Sequence, residues 1–172
     1  MVFGGYDGIS LGNDVWALSL AGNPAWSALA PAGTPPAGRY QHTAIYDPVR
    51  DRMLVFGGFD GSFSSDVWAL SLVGSTSWSV LTPGGSPPVG RAGHSAIYDP
   101  VGDRMVVFGG FDGIPHNDVW AISLAGSPVW SALVPAGSSP TARRELGAIY
   151  DPLRNRMVVF GGDDGFGLFF ND

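Results

Sequence analysis

The chain has 172 residues, enough for one domain or a piece of one, and its 26 glycines and 14 prolines sit among 45% hydrophobic and 12% aromatic residues, too apolar for a disordered Gly/Pro-rich polymer. All nine basic residues are arginine and the only glutamate is Glu145, while Val, Trp, Phe and Tyr abound, which excludes a helical bundle. A net charge of −6 argues against nucleic acid as a partner, and the absence of cysteine rules out a disulfide framework or a thiolate metal site.

From Met1 onward the wording repeats. The string Asp-Val-Trp-Ala begins at Asp14, Asp66 and Asp118, and Ala-Ile-Tyr-Asp-Pro begins at Ala44, Ala96 and Ala148. Trp26, Trp78 and Trp130 keep the same phase, as do the Phe-Gly-Gly triplets at Phe3, Phe56, Phe108 and Phe160, apart from one extra residue between Gly8 and Asp14. The unit is therefore about 52 residues long, and a repeat of that length is the dominant fact about the fold.

Each unit reads as four short strands separated by turn chemistry. Residues 1–31 supply three of them, opening inside a second strand, because Val2-Phe3-Gly4 aligns with Val107-Phe108-Gly109. Residues 39–83 and 91–135 supply complete sets. In the latter these run His94 to Asp99, Arg104 to Phe108, Asp118 to Leu124 and Val129 to Val134. Residues 143–172 supply two more, making thirteen. In the third strand Trp120, Ile122 and Leu124 fall on one face and Val119, Ala121 and Ser123 on the other; neither face is strongly polar, so both should be covered. Repeated four-stranded sheets buried on both faces are propeller blades.

Arg39-x-x-His42, Gly57-Gly58, Asp66-Val67-Trp68 and Trp78 recur as Arg91-x-x-His94, Gly109-Gly110, Asp118-Val119-Trp120 and Trp130. This combination resembles the kelch repeat across essentially the whole chain, with Leu146 standing where His42 and His94 stand. The Ala-Ile-Tyr-Asp-Pro segments are also similar to kelch-like repeats of large secreted bacterial proteins. The resemblance implies an all-β, kelch-type β-propeller with the first strand of each blade nearest the axis and the fourth outermost. Because both ends fall inside a repeat, the chain is expected to be a propeller fragment of about three four-stranded blades, incompletely closed. The missing blades would come from a parent protein or from a second copy of the chain. An extracellular or envelope location is the expectation the resemblance carries. No apolar run approaches the roughly 20 residues of a membrane-spanning helix, so no membrane insertion is expected.

Phe56, Trp68, Trp78, Ile97, Tyr98, Val107, Phe108, Trp120 and Trp130 should be buried between blades. The di-glycines lack the Gly-Lys-Ser/Thr of a phosphate loop and read as tight turns at strand ends. Asp-Gly pairs at Asp7, Asp60, Asp112 and Asp164 read as turn initiators, since calcium needs six to eight oxygens. His42 and His94 lie in adjacent blades, about 10 Å apart, too far for one zinc, and read as structural; His116 reads as a solvated loop residue. No nucleophile elbow or converging acid pair is present, and no cofactor or metal is expected.

The copies differ most after each di-glycine and before each first strand. These connections emerge on one face, where Tyr6, Arg39, Tyr40, Phe59, Phe63, Arg91, Phe111, Arg143, Arg144 and Phe166 collect. Aromatic residues and arginine dominate recognition hot spots. The function expected is therefore a non-catalytic scaffold that binds protein or glycan through that face. A propeller enzyme of hydrolase or epimerase type, or a purely architectural array in a large envelope protein, is the alternative.

Overall fold

Alternating branched and aromatic residues, punctuated by glycine turns, produce four sheets, antiparallel but for one short edge strand, in the computed structural model, which describes residues 1–172. The first sheet contains β1 (Val2–Tyr6), β2 (Leu11–Ser19) and β3 (Ala25–Leu29). The second contains β4 (Thr43–Asp47), β5 (Arg52–Phe56), β6 (Val67–Ser71) and β7 (Ser77–Leu81) in chain order. A two-residue strand, β8 (Gly84–Gly85), joins the third sheet of β9 (Ser95–Asp99), β10 (Arg104–Phe108), β11 (Val119–Ser123) and β12 (Val129–Leu133). The last sheet pairs β13 (Gly147–Asp151) with β14 (Arg156–Phe160). Strands β4, β9 and β13 neighbour one another, so the first strand of each blade lies innermost.

The fourteenth strand is a departure from the expected thirteen. Gly84–Gly85 runs parallel to Val129–Trp130 along the outer edge of the third blade, and Ala32 bridges Ser77 in the same way one blade earlier. The first two inter-blade connections thus cover part of the next blade's exposed edge. A glycine-rich segment without alternation carries no strand signal, which is why the reading by pattern missed it. In the first blade β2 starts at Leu11 rather than Asp14, where β1 is bulged between Phe3 and Gly5.

Two-sided burial follows from the pleat. Met53 and Val55 of β5 point toward the first blade and pack with Phe3, Val15, Leu70 and Trp78. Their neighbours Leu54 and Phe56 point the other way, into a larger cluster with Met105, Val107, Ile122, Leu124 and Trp130 of the third blade. Val106 and Ala121 then face Ala148, Tyr150 and Met157 of the fourth. Six of the nine expected core residues are fully buried; Trp68, Tyr98 and Trp120 are only half-buried, because their polar tips reach aspartates at the rims. The outward faces of the first and last blades leave Trp16, Trp26, Ile149 and Phe160 exposed.

At the end of the blades away from the variable loops, each β-hairpin turn is closed by ion pairs. Asp47 accepts bonds from the Val49 and Arg50 amides and from the Arg50 and Arg52 side chains, and Arg104 and Arg156 serve Asp99 and Asp151 likewise. Arg50 also crosses to the next blade, where it makes a bidentate pair with Asp103 at 3.0 and 2.6 Å.

Repeat position and burial part company at the tryptophans of the fourth strands, which gives a direct test. Trp130 is 4% exposed and Trp26 is 56% exposed, although both occupy the same place in the repeat. Trp130→Ala should cost about 3–5 kcal/mol and Trp26→Ala well under half of that. Urea unfolding followed by far-UV circular dichroism measures both; equal losses would mean that inter-blade packing does not carry the stability.

Candidate functional site

The loop end is organised from beneath by one arginine per inter-blade connection. Arg39 donates from Nη1 to the Gly57 carbonyl at 2.9 Å and, through Nη1 and Nη2, to the Asp66 carboxylate at 2.6 and 3.0 Å. Its Nε reaches the Ala37 carbonyl. Arg91 repeats this set with Gly109, Asp118 and Val89. Arg143 repeats it in part, with Gly161, Thr141 and a single bond to Asp172, and its guanidinium lies 4.3 Å from the Phe170 ring centre. All three side chains are buried, and this corrects their assignment as partner-binding residues. Every guanidinium nitrogen of Arg39 and Arg91 is committed inside the fold, whereas Nη2 of Arg143 is buried without a hydrogen-bond partner. Burial pushes the Asp66 and Asp118 carboxyls up, but the bonds from Arg39 or Arg91 and from the indoles of Trp68 or Trp120 outweigh it and leave both lowered.

The di-glycines make room for this arrangement. Gly57 and Gly58 have φ of 64° and 95°, and a β-carbon on Gly58 would lie 2.8 Å from Cβ of His42. His42 stacks edge-on against Phe3, and His94 against Phe56. His94 Nε2 is 2.8 Å from Thr43 Oγ1 in the preceding blade, so this ring does hold an inter-blade contact. In the next copy Leu146 replaces the ring, and Ser95 Oγ donates instead to the Leu146 carbonyl. His116 is not solvated: its side chain is largely covered, with Nε2 3.0 Å from Asp112 Oδ1, near enough for an ion pair but out of line for a hydrogen bond.

Above this layer, backbone pairing carries the variable residues. Tyr40 and Phe59 exchange both N–H···O bonds, at 3.2 and 2.9 Å, and so do Ala92 with Phe111 and Arg144 with Asp163. The pairings hold each inter-blade connection against the loop of the following blade. The side chains they present form a continuous line of rings. Tyr6 meets Tyr40 at 5.8 Å between centres, Tyr40 meets Phe59 at 5.8 Å, and Phe59 meets Phe63 at 5.2 Å. Phe63 then meets Phe111 at 6.0 Å across a blade boundary, and Phe111 meets Phe166 at 6.4 Å across the next. All but the tilted Tyr6–Tyr40 pair are edge-to-face, an arrangement that is favourable in itself and fixes the rings relative to one another.

Six of the ten predicted residues therefore form one ladder that crosses all four sheets. Arg144, a seventh, joins it with its guanidinium 4.8 Å from the Phe111 ring centre and its Nε 3.0 Å from Asp163 Oδ1. Tyr6 and Phe166 are exposed at the two ends; the other rings are half-buried. A concavity of about 320 Å³ opens between Tyr6, Leu11, Tyr40 and Phe59. Asp7, Asp60, Asp112 and Asp164 do initiate the loop turns, each accepting from the amide two residues on.

Sequence reasoning missed the residues nearest the axis. Gln41, Gly93 and Glu145 occupy one repeat position, and the Gly93 amide donates to the Gln41 carbonyl while the Glu145 amide donates to the Gly93 carbonyl. Gly93 has no side chain, so Gln41 Nε2 bonds Glu145 Oε1 from two blades away. The signal was present as an alignment of three unlike residues immediately before the innermost strands.

A model of the KLHDC2/KLHL20/DRC7 Kelch-repeats domain matches residues 1–172. The chain is 30% identical over 174 residues to the Drosophila melanogaster leucine-zipper-like transcriptional regulator 1 homolog, covering 95% of this chain and 17% of that protein. It is 31% identical over 176 residues to human multiple epidermal growth factor-like domains protein 8, covering 94% of this chain and 6% of that protein. Human host cell factor 1 is 31% identical over 114 residues, or 62% of this chain and 6% of its own length. A solved structure of YjhT has a similar fold, with a TM-score of 0.64 at 20% identity over 86% of this chain and 44% of that one. The chain thus spans less than a fifth of the curated relatives it matches.

The two histidines beneath the loop end make stability depend on pH. Burial, then the charge of Arg39, lowers His42 to about 4; burial, then Arg91 and His42, lowers His94 to about 3. Both rings are neutral in the folded state, whereas in the unfolded chain they take up protons near pH 6.5. Their contribution to stability is complete above that value and is lost as pH falls toward 4 and then 3. Urea midpoints at pH 7, 5.5 and 4.5 should therefore fall steadily, and His94→Leu, the residue already present at position 146, should remove about one proton from the slope. An unchanged slope would show that His94 is not kept neutral by the fold.

Proposed function

The chain belongs to the kelch-repeat family, and from that membership we propose that it is a non-catalytic protein-binding module whose docking surface is the loop end carrying the aromatic ladder. Kelch-repeat domains generally mediate protein–protein interaction, so the family sets the class of function, and the geometry bears on where a partner docks. The ladder carries the reading. Six rings, drawn from four sheets and four of them in backbone-bridged loop positions, present large, rigid contact area at low entropic cost. Successive rings from Tyr40 to Phe111 stand 71–73° apart, which alternates ring faces with ring edges. That relief suits the side chains of a peptide better than the flat stacking a sugar ring requires.

The opposite end offers a contrast on the same molecule, since its hairpin turns are saturated with internal ion pairs. A partner using that end would have to break them.

Panning a random peptide library against the immobilised chain tests the assignment. The enriched peptides should lose at least about tenfold in affinity to Tyr40→Ala and Phe111→Ala and nothing to Arg154→Ala at the far end. Peptides indifferent to the ladder substitutions would overturn the loop-end reading.

A further inference from the structure

The charges of this chain are divided unevenly between its two ends. The hairpin turns joining β4 to β5, β9 to β10 and β13 to β14 hold five aspartates and five arginines, Arg50, Arg52, Arg104, Arg154 and Arg156. Those charges cancel, and most of them meet in the ion pairs already described or in the further pair of Arg154 with Asp151. The remaining ten carboxylates and four arginines all lie at the loop end, so the entire net charge of −6 resides there. Three of the four arginines are buried beneath the surface and committed to internal acceptors. Arg144 is the one loop-end cation that reaches solvent, and Asp163 already occupies its Nε.

From this we infer that the partner docking on the aromatic ladder is a cationic, extended peptide segment, rich in arginine or lysine with interspersed apolar side chains; the inference rests on the loop-end reading proposed above. Two independent properties of the surface select the same ligand. The exposed faces of Tyr6 and Phe166 and the half-buried rings between them attract guanidinium and ammonium groups through the ring quadrupole. The carboxylates of Asp7, Asp112 and Asp164 sit in the same loops as Tyr6, Phe111 and Phe166, Glu145 lies on the axis side of the same end, and together they set a negative potential over it. An acidic peptide would meet that potential with the wrong sign. The path along the rings takes five steps of 5.2 to 6.4 Å. An extended chain of about nine residues, at roughly 3.3 Å each, can follow it.

Arg144 makes the inference sharper, because it is a like charge inside the proposed footprint. Removing it should strengthen binding of a cationic segment, whereas a carboxylate-seeking role for Arg144 would have the opposite consequence.

The test uses the full chain and two fluorescein-labelled peptides of about twelve residues, one of repeated Arg-Leu-Gly and the other of repeated Glu-Leu-Gly. Fluorescence anisotropy at about 50 and about 300 mM salt separates the charge contribution from the apolar one. The arginine peptide should bind at least about tenfold tighter than the glutamate peptide and lose most of that margin at the higher salt. Combining Asp112→Asn, Asp164→Asn and Glu145→Gln should weaken the arginine peptide about tenfold, the asparagines keeping the turn-forming oxygen. Arg144→Gln should tighten it severalfold. Equal binding of both peptides, preference for the glutamate peptide, weaker binding by the Arg144 variant, or binding of neither peptide would each overturn the cationic assignment. The loop-end reading is decided separately by Phe111→Ala. If the glutamate peptide binds and that substitution abolishes binding, the docking surface stands and only the charge of its partner was wrong.

Discussion

Burying a charged group is costly unless it is paired and hydrogen-bonded, and in this fold that cost falls on one arginine per inter-blade connection. Arg39 and Arg91 meet it with the same partners, namely the carbonyl of the first glycine of Gly-Gly, the carboxylate that opens Asp-Val-Trp, and a carbonyl two residues upstream. The aspartate in turn accepts the indole N–H of the tryptophan two residues on. Three markers that look independent in the sequence are therefore parts of one hydrogen-bonded device. They recur in phase because the loss of any one would leave the others buried without partners.

Around that device the blades pack as nearest neighbours, each strand sending alternate side chains into the clusters on either side. Interchangeable units would make every boundary alike, but these boundaries differ. Arg50 reaches across to Asp103 between the second and third blades. Between the third and fourth, the equivalent positions hold Gly102 and Asn155, so the cation and its carboxylate are absent together. The histidine contact at Thr43 and the serine contact at Leu146 differ in the same paired way. Each boundary is matched within itself, so the order of the repeats is written into the contacts between them.

Fold and strand boundaries were legible because they rest on periodic features, namely the alternation within strands and the turn residues between them. Predicted and observed strands in the third blade differ by about one residue at their ends. The short pairing of Gly84–Gly85 was not legible, since it rests on backbone geometry and involves no side chain. At the candidate site the aromatic residues were read correctly as neighbours, while Arg39, Arg91 and Arg143 were misplaced. Composition suggested exposed hot-spot arginines, but their phase pointed the other way. Arg39 precedes Asp66 by the same interval as Arg91 precedes Asp118. A residue that repeats in step with structural markers belongs to the scaffold.

Variation is tolerated at the ladder because the pairing that positions it uses main-chain atoms alone. Tyr40, Ala92 and Arg144 occupy equivalent sites, as do Phe59, Phe111 and Asp163, and all three pairs keep the same two backbone bonds. The backbone is thus indifferent to what these positions display, and the displayed chemistry changes freely from ring on ring to an arginine held by an aspartate. Beneath them the buried guanidiniums hold the loops in register, so that side chains from separate blades meet at contact distance. A rigid lower layer that repeats and an upper layer that does not is the division of labour a recognition surface requires. Changing a ladder residue alters what the surface attracts without disturbing the hydrogen bonds that keep the surface in place.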